Sequence, residues 1–503
     1  MFGNIRVSVL SSTLIRFEER GPHGFEDRNT FLVVDRSGPG AEVQVEELAT
    51  ETTLTCGKHV VIIPRDANSL RQLVVREAGT GDFVWRLDGA LPGRPALPTP
   101  VQPGRVWALA DSIRIVPPPW GACPPPEGNT LHPDVSGWDL TNDSPDVYLF
   151  LHGGDLSAWR RDFIKLTGPV PMPPKWAFGY WHSLYYPYTQ KEALDIIDEH
   201  RKRDYPLDVF VVDTDWRVGG SGGYDVEMKL FPDMEKFLTE AHARSARIVF
   251  NDHPQPNGMQ PLEPKMLKFR SEGLTKFLQQ GVDAWWYDLN WVQIIDGPWG
   301  IDRAVWGQML YFDIADAFDP EKRTMIMSMR SEHPASHRYP IWWTGDIAST
   351  YETLADGLRD SINDGVRLQP YVNIDLGGHF GQPDDELYVR YLQYGCLCPI
   401  TRVHGTRRDG LFRYPWLFGR EAADTIRDYV KLRYRLMPTL YAGARRTYED
   451  GVPFVRKLVF EWPDHPEAQG GLDIALHPHI KLRFLQLISA VLQRSGGHQR
   501  AVC

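Results

Sequence analysis

The sequence predicts an α/β protein, a (β/α)8 TIM barrel preceded by an N-terminal β-sandwich. Three observations lead there. From Pro171 onward eight short apolar runs alternate with helical stretches, the pattern of a parallel sheet covered on both faces. Before that point the chain is a series of short alternating runs broken by Pro and Gly, as in Leu91-Pro92-Gly93-Arg94-Pro95. Finally, nearly every apolar run of the second part ends on a charged or polar residue, which is where a barrel places its chemistry.

In the first part, residues 1–165, Arg6–Leu10 and Thr13–Phe17 alternate with period two, and Val60–Ile63 and Val147–Phe150 continue the style. Such runs read as sandwich strands. The stretch from about 117 to 145 has no assignable pattern. The second part, residues 166–450, opens with a strand over Trp176–Ser183. Thr189 and Glu192 then form a capping box that starts a helix through Ile197. Asp208–Asp213 is the next strand and Met234–Ala243 the next helix. Arg247–Asn251, Ala284–Tyr287, Thr324–Ser328, Ile341–Trp343, Tyr371–Ile374 and Ile400–Arg402 bring the strands to eight. An open doubly wound sheet is the alternative, but no Gly-rich phosphate loop follows the first strand.

Composition narrows the function classes. A net charge of −10 without a basic block argues against a nucleic-acid partner. No run approaches 18 apolar residues and no signal peptide is evident, so a cytoplasmic protein without a membrane span is expected. The five cysteines lack metal-ligand spacing; Cys396 and Cys398, one residue apart, read as small buried hydrophobes at a strand or helix end. No metal or cofactor is expected. Seventeen Trp and twenty Tyr suit large cores, and equally suit sugar rings stacked on flat apolar faces.

The strand ends carry His182, Asp213 and Asp215, Asn251 to His253, Asp288, Arg330, Asp346, Asp375 and His404. Singly, each has a bland explanation: a turn for Asp213, a rim salt bridge for Arg330, a satisfied core histidine for His404, a tight turn for Asp375 before Gly377-Gly378. The pair Asp288 and Asp346 resists one. Each ends an aromatic strand, Ala284–Tyr287 and Ile341–Trp343, and an acid there is costly unless it is paired or used. Two carboxyls beside tryptophans are what acid-catalysed cleavage of a sugar acetal needs.

Several motifs, in order, resemble the catalytic barrel of family 31 glycoside hydrolases, the α-glucosidase and α-xylosidase group. They are Phe178-Gly179-Tyr180-Trp181, Asp213-Thr214-Asp215, Trp286-Tyr287-Asp288, Arg338-Tyr339-Pro340 with Trp343-Thr344-Gly345-Asp346, Asp375-Leu376-Gly377-Gly378, and Arg402-Val403-His404-Gly405. The resemblance implies Asp288 as nucleophile and Asp346 as general acid/base, about 5–5.5 Å apart in a retaining mechanism. It implies sugar hydroxyls bound by Asp213, Arg330 and His404, with Trp286 lining the pocket and Trp343 in the adjoining apolar wall. Arg330 is expected to hold Asp288 ionised. The activity implied is exo-cleavage of terminal α-linked sugars, α-glucosides foremost, from an oligosaccharide or glycoside substrate. Other α-glycosides, transfer to a sugar acceptor, and an inactive sugar-binding protein are the alternatives.

Departures from the family pattern fall at Asn290-Trp291, at His253 between Asp252 and Pro254, at Ser336-His337, and at His379 in the place of a phenylalanine. Residues 451–503 form the last segment. From about Gly470 it loses the family's character, with a helix expected at Ile480–Leu492, so the C-terminal β-domain is expected to be largely missing and an apolar barrel flank exposed.

Overall fold

The computed structural model describes residues 1–87, 99–102, 106–111, 114–116, 139–142, 144–219, 223–253, 264–288, 301–319, 321–406, 412–462 and 474–475. Asn290, Trp291, the segment 117–138 and the helix expected at Ile480–Leu492 lie outside these described residues.

The expected sandwich is built from two antiparallel five-stranded sheets. One runs in the order Ile5–Ser11, Leu14–Glu19, Asp146–Phe150, Val106–Ala110, Thr99–Gln102; the other is a meander of Val43–Glu47, Glu51–Cys56, His59–Pro64, Val74–Glu77 and Phe83–Trp85. Period-two alternation decides which side chains meet. Ile15, Phe17, Val147 and Leu149 of the first sheet pack on Val61, Ile63, Val75 and Trp85 of the second. Their neighbours Leu14, Tyr148 and Phe150 face the other way and join the barrel core, together with Trp159 and Phe163 of the connecting helix Leu156–Thr167. The first sheet is therefore buried on both faces, and it couples the sandwich to the barrel.

Eight parallel strands form the barrel: Tyr180–His182, Val209–Val212, Arg247–Asp252, Ala284–Tyr287, Ile326–Met329, Trp342–Trp343, Val372–Asn373 and Thr401–Val403. Below they are barrel strands one to eight. Each pairs with the next, strand eight pairs with strand one, and a bridge between Leu376 and Val403 closes the ring. The strand expected at Trp176–Ser183 is shorter, because Lys175–Phe178 forms a 3-10 turn.

Helices follow every barrel strand except the fifth, where a 3-10 turn at Ser336–Arg338 serves. The capping box at Thr189 and Glu192 does open a helix, Gln190–Lys202, and Asp233 caps Met234–Ala243. Later come Pro264–Gln280, Arg303–Phe318, Tyr351–Val366, Asp385–Leu397 and the long Arg420–Asp450. Cys396 and Cys398 are buried at the end of Asp385–Leu397.

Beyond the last helix, Arg456–Lys457 pairs with Ile474–Ala475. Among the described residues no helix is long and apolar enough to cross a membrane.

Candidate active site

Parallel strands expose all their C-terminal ends on one face, and alternation decides which residues there point into the barrel. Trp286 and Asp288 share a parity on strand four, as do Asn251 and His253 on strand three, Asn373 and Asp375 on strand seven, and Arg402 and His404 on strand eight. These four pairs meet one another. Trp286 stands edge-on to Trp343 at 5.1 Å between ring centroids and to His404 at 5.4 Å. The guanidinium of Arg402 lies 4.9 Å from the Trp286 ring and is held by Asn373 Oδ1 at 2.7 Å and by Asp375. Trp343 donates its indole N–H to Asp375 Oδ1 at 2.8 Å.

Asp288 sits 8% exposed at the tip of strand four. Asn251 Nδ2 donates to its Oδ2 at 3.0 Å, and His253 Nε2 lies 2.6 Å from the same oxygen. Asp213, level with Asn251 in the strand register, is buried and accepts the Thr214 N–H at 2.8 Å. Burial, with the charges of Asp288 and Asp215, pushes its pKa up to about 7 against the lowering pull of His253 and the Thr214 N–H.

Asp346 leaves strand six through Gly345, whose φ of 96° suits only glycine, and its side chain is 44% exposed. Its Oδ1 lies 3.3 Å from Nδ1 of His379. That histidine is brought back over the pocket by the turn at Gly378, where a Cβ would lie 2.6 Å from the Ser349 backbone. Burial, then the charges of Asp375, Asp288 and Asp213, lift the Asp346 pKa to about 7, and Arg402 opposes them. Asp288 and Asp346 thus sit within each other's electrostatic reach. His404 is buried, 2.7 Å from Ser183 Oγ through Nδ1, and burial beside Arg402 and His379 holds its pKa well below the usual imidazole range. It is a neutral ring, suited to exchange hydrogen bonds with hydroxyls.

Of the residues expected at the site, Asp213, Trp286, Asp288, Trp343, Asp346 and His404 come together at the C-terminal ends of the strands. Arg330 does not join them. Ser328, two residues before it, bonds outward to Gln308 of the helix Arg303–Phe318. Arg330 has the same parity and pairs with Asp364 at 2.9 Å and Asp360 at 3.1 Å on the helix Tyr351–Val366. Among the described residues the nitrogens against Asp288 are those of Asn251 and His253, and Arg402 is a cation beside the aromatic wall. The sequence had offered a signal for Arg402: it lies two residues before His404, hence on the same face of one strand.

Asp346, Asp375, His379 and His404 bring ligand-type atoms within 4.8 Å of one another. Asp375 in that group is paired with Arg402. A cavity of about 1430 Å³ lined by Trp176, Asp208, Phe312, Thr324 and Tyr441 lies elsewhere, at the N-terminal ends of the strands, and plays no part in this grouping.

Comparison with known proteins supplies the family. The glycosyl hydrolases family 31 TIM-barrel domain matches residues 170–265 and 259–443. The chain belongs to that family. Over 364 residues it is 28% identical to an alpha-xylosidase of Saccharolobus solfataricus, covering 63% of this chain and 49% of that protein. Over 379 residues it is 25% identical to alpha-glucosidase 2 of Bacillus thermoamyloliquefaciens, covering 63% and 47%. The chain therefore spans about half the length of these family 31 relatives.

Among solved structures the fold is similar to a family 31 alpha-xylosidase from a soil metagenome, complexed with xylose. The TM-score is 0.70 at 18% identity, over 94% of this chain and 88% of that one. A Flavobacterium johnsoniae dextranase of the family, complexed with isomaltotriose, gives 0.71 at 18% identity over 93% and 70%.

Proposed function

We propose that this chain carries the catalytic barrel of a retaining α-glycosidase that removes terminal α-linked sugars by double displacement. Asp288 is the nucleophile and Asp346 the general acid/base. The observation carrying this reading is the contrast between two carboxyls within electrostatic reach of each other. Asp288 has two N–H donors on a single oxygen, whereas Asp346 is raised to about 7, partly by the charge of Asp288 itself. One group is prepared to attack as an anion and the other to give up a proton, the division that acetal cleavage requires.

In the first displacement an oxygen of Asp288 attacks the anomeric carbon while Asp346 protonates the departing glycosidic oxygen. In the second, Asp346 takes a proton from water, and that water's oxygen displaces Asp288 from the sugar. Buried Asp213 and His404 are placed to bind ring hydroxyls, and Trp286 and Trp343 supply flat apolar faces. Asn251 Oδ1, Trp286 Nε1 and Asp375 Oδ2 are buried without a protein hydrogen bond among the described residues, and a hydroxylated ligand offers partners of both kinds.

For substrate, α-glucosides are the first reading. α-Xylosides are a second, favoured by the likeness to α-xylosidases, and the two differ by the C5 hydroxymethyl group. A panel of 4-nitrophenyl α-glycosides separates them. Turnover of at least one member, abolished in Asp288→Ala, is expected; a folded protein that cleaves none is instead a sugar-binding protein.

A further inference from the structure

His253 lies one residue beyond barrel strand three, and its surroundings are constructed. Asp252, of opposite parity, points away from the pocket into a buried set with Arg217, Tyr224 at 3.0 Å and Tyr311 at 2.6 Å. Arg217 also donates to the His253 carbonyl at 3.2 Å. One guanidinium therefore fixes both the preceding side chain and the backbone that carries the imidazole. The ring, 24% exposed on its side chain, is directed at Asp288 Oδ2 at 2.6 Å, with Asp213 as the second acid acting on it. Asn251 Nδ2 shares that oxygen. Among the described residues both contacts fall on Oδ2, which leaves Oδ1 as the oxygen to bond carbon.

Resting on the double-displacement reading above, we propose that His253 is a positioning residue for the second displacement. Its Nε2–H polarises the ester that Asp288 forms with the sugar and stabilises the carboxylate as it departs. When Oδ1 is esterified, Oδ2 is the carbonyl oxygen of the acylal. As water attacks, the bond between the anomeric carbon and Oδ1 breaks and its electron pair passes to the Asp288 carboxylate, where charge builds on Oδ2. The water proton goes to Asp346. The proton on Nε2 is shared in a hydrogen bond and is not transferred.

Burial opposes a charge on this imidazole, but the hydrogen bond and charge of Asp288, with the charge of Asp213, outweigh it and raise the pKa above the ordinary value; the charge of Arg217 opposes them. A charge-assisted donor is the strong kind. The same bond makes Asp288 a weaker nucleophile and a better leaving group, so its loss should slow the second step and spare the first.

The test uses the full chain, a 4-nitrophenyl α-glycoside that the wild type cleaves, stopped-flow release of nitrophenol, and intact-protein mass after acid quench. For His253→Ala, a burst approaching one nitrophenol per enzyme and a glycosyl adduct mapping to Asp288 are expected. kcat and KM should fall together by about 10–100-fold with kcat/KM nearly kept, the size of a lost hydrogen bond to a charged group. His253→Gln, which keeps a neutral donor and much of the bulk, should lie between the two. Equal losses in kcat and kcat/KM without an adduct in both variants would make His253 merely structural and overturn the proposal, as would unchanged kinetics. Absence of any wild-type turnover overturns the double-displacement reading itself, and this inference with it.

Discussion

In the proposed mechanism Asp346 must hold a proton at the pH where the first displacement runs. At an ordinary aspartate pKa of 3.8, only about 0.6% of molecules would carry that proton at pH 6; at about 7, roughly 90% do. The difference is about 150-fold in the population able to start the reaction. The shift comes from burial first and then from Asp375, Asp288 and Asp213, against Arg402. The perturbation is pH, and the assay is kcat/KM for a nitrophenyl α-glycoside between pH 4 and 9. A basic limb centred near 7 is expected, falling tenfold per pH unit beyond it. Asp346→Ala should lose that limb. With 2,4-dinitrophenyl as leaving group it should still form the glycosyl-enzyme, and added azide should restore turnover. A basic limb below pH 5, or the same limb kept in Asp346→Ala, would refute the assignment.

Other consequences follow from the same layer of side chains. Asp213 is buried with its pKa raised, so its contribution to stability is full below about 3.8 and is lost as pH rises to about 7. At pH 8 the cost is at most about 4 kcal/mol, so the melting temperature of Asp213→Asn should depend less on pH than the wild type's while hydrolysis collapses. Arg402→Lys keeps the charge but loses the planar fork spanning Asn373 and Asp375. A loss of about tenfold or more in kcat/KM, with a lower melting temperature, is expected. Gly307→Ala would put a Cβ 2.2 Å from the Tyr287 ring beside Asp288, and chemical denaturation should register a loss of about 1–3 kcal/mol.

The barrel was readable because its strands are apolar runs with polar exits, and because Thr189 and Glu192 mark a helix start by local chemistry alone. The grouping of Asp288 with Asp346, Asp213 and Trp286 was readable from strand ends in order. Arg330 was misplaced because position at a strand exit does not fix parity. Ser328 bonding outward to Gln308 shows which face that strand gives Arg330, and this depends on the strand's boundaries. His253 was visible as a polar residue at a strand end and as a departure from pattern, but not as a partner of Asp288. Its partnership with Asp288 needs the register that sets Asn251 beside Trp286, and register between distant strands is not written in either one alone.

The covalent role proposed for Asp288 is most directly measured with a 5-fluoro-α-glycosyl fluoride followed by peptide mapping of the inactivated protein. A single fluoroglycosyl group on the peptide containing Asp288, absent from Asp288→Ala, is the expected result. Inactivation with the label on another residue, or turnover without any trapped adduct and with inversion at the anomeric carbon, would contradict it.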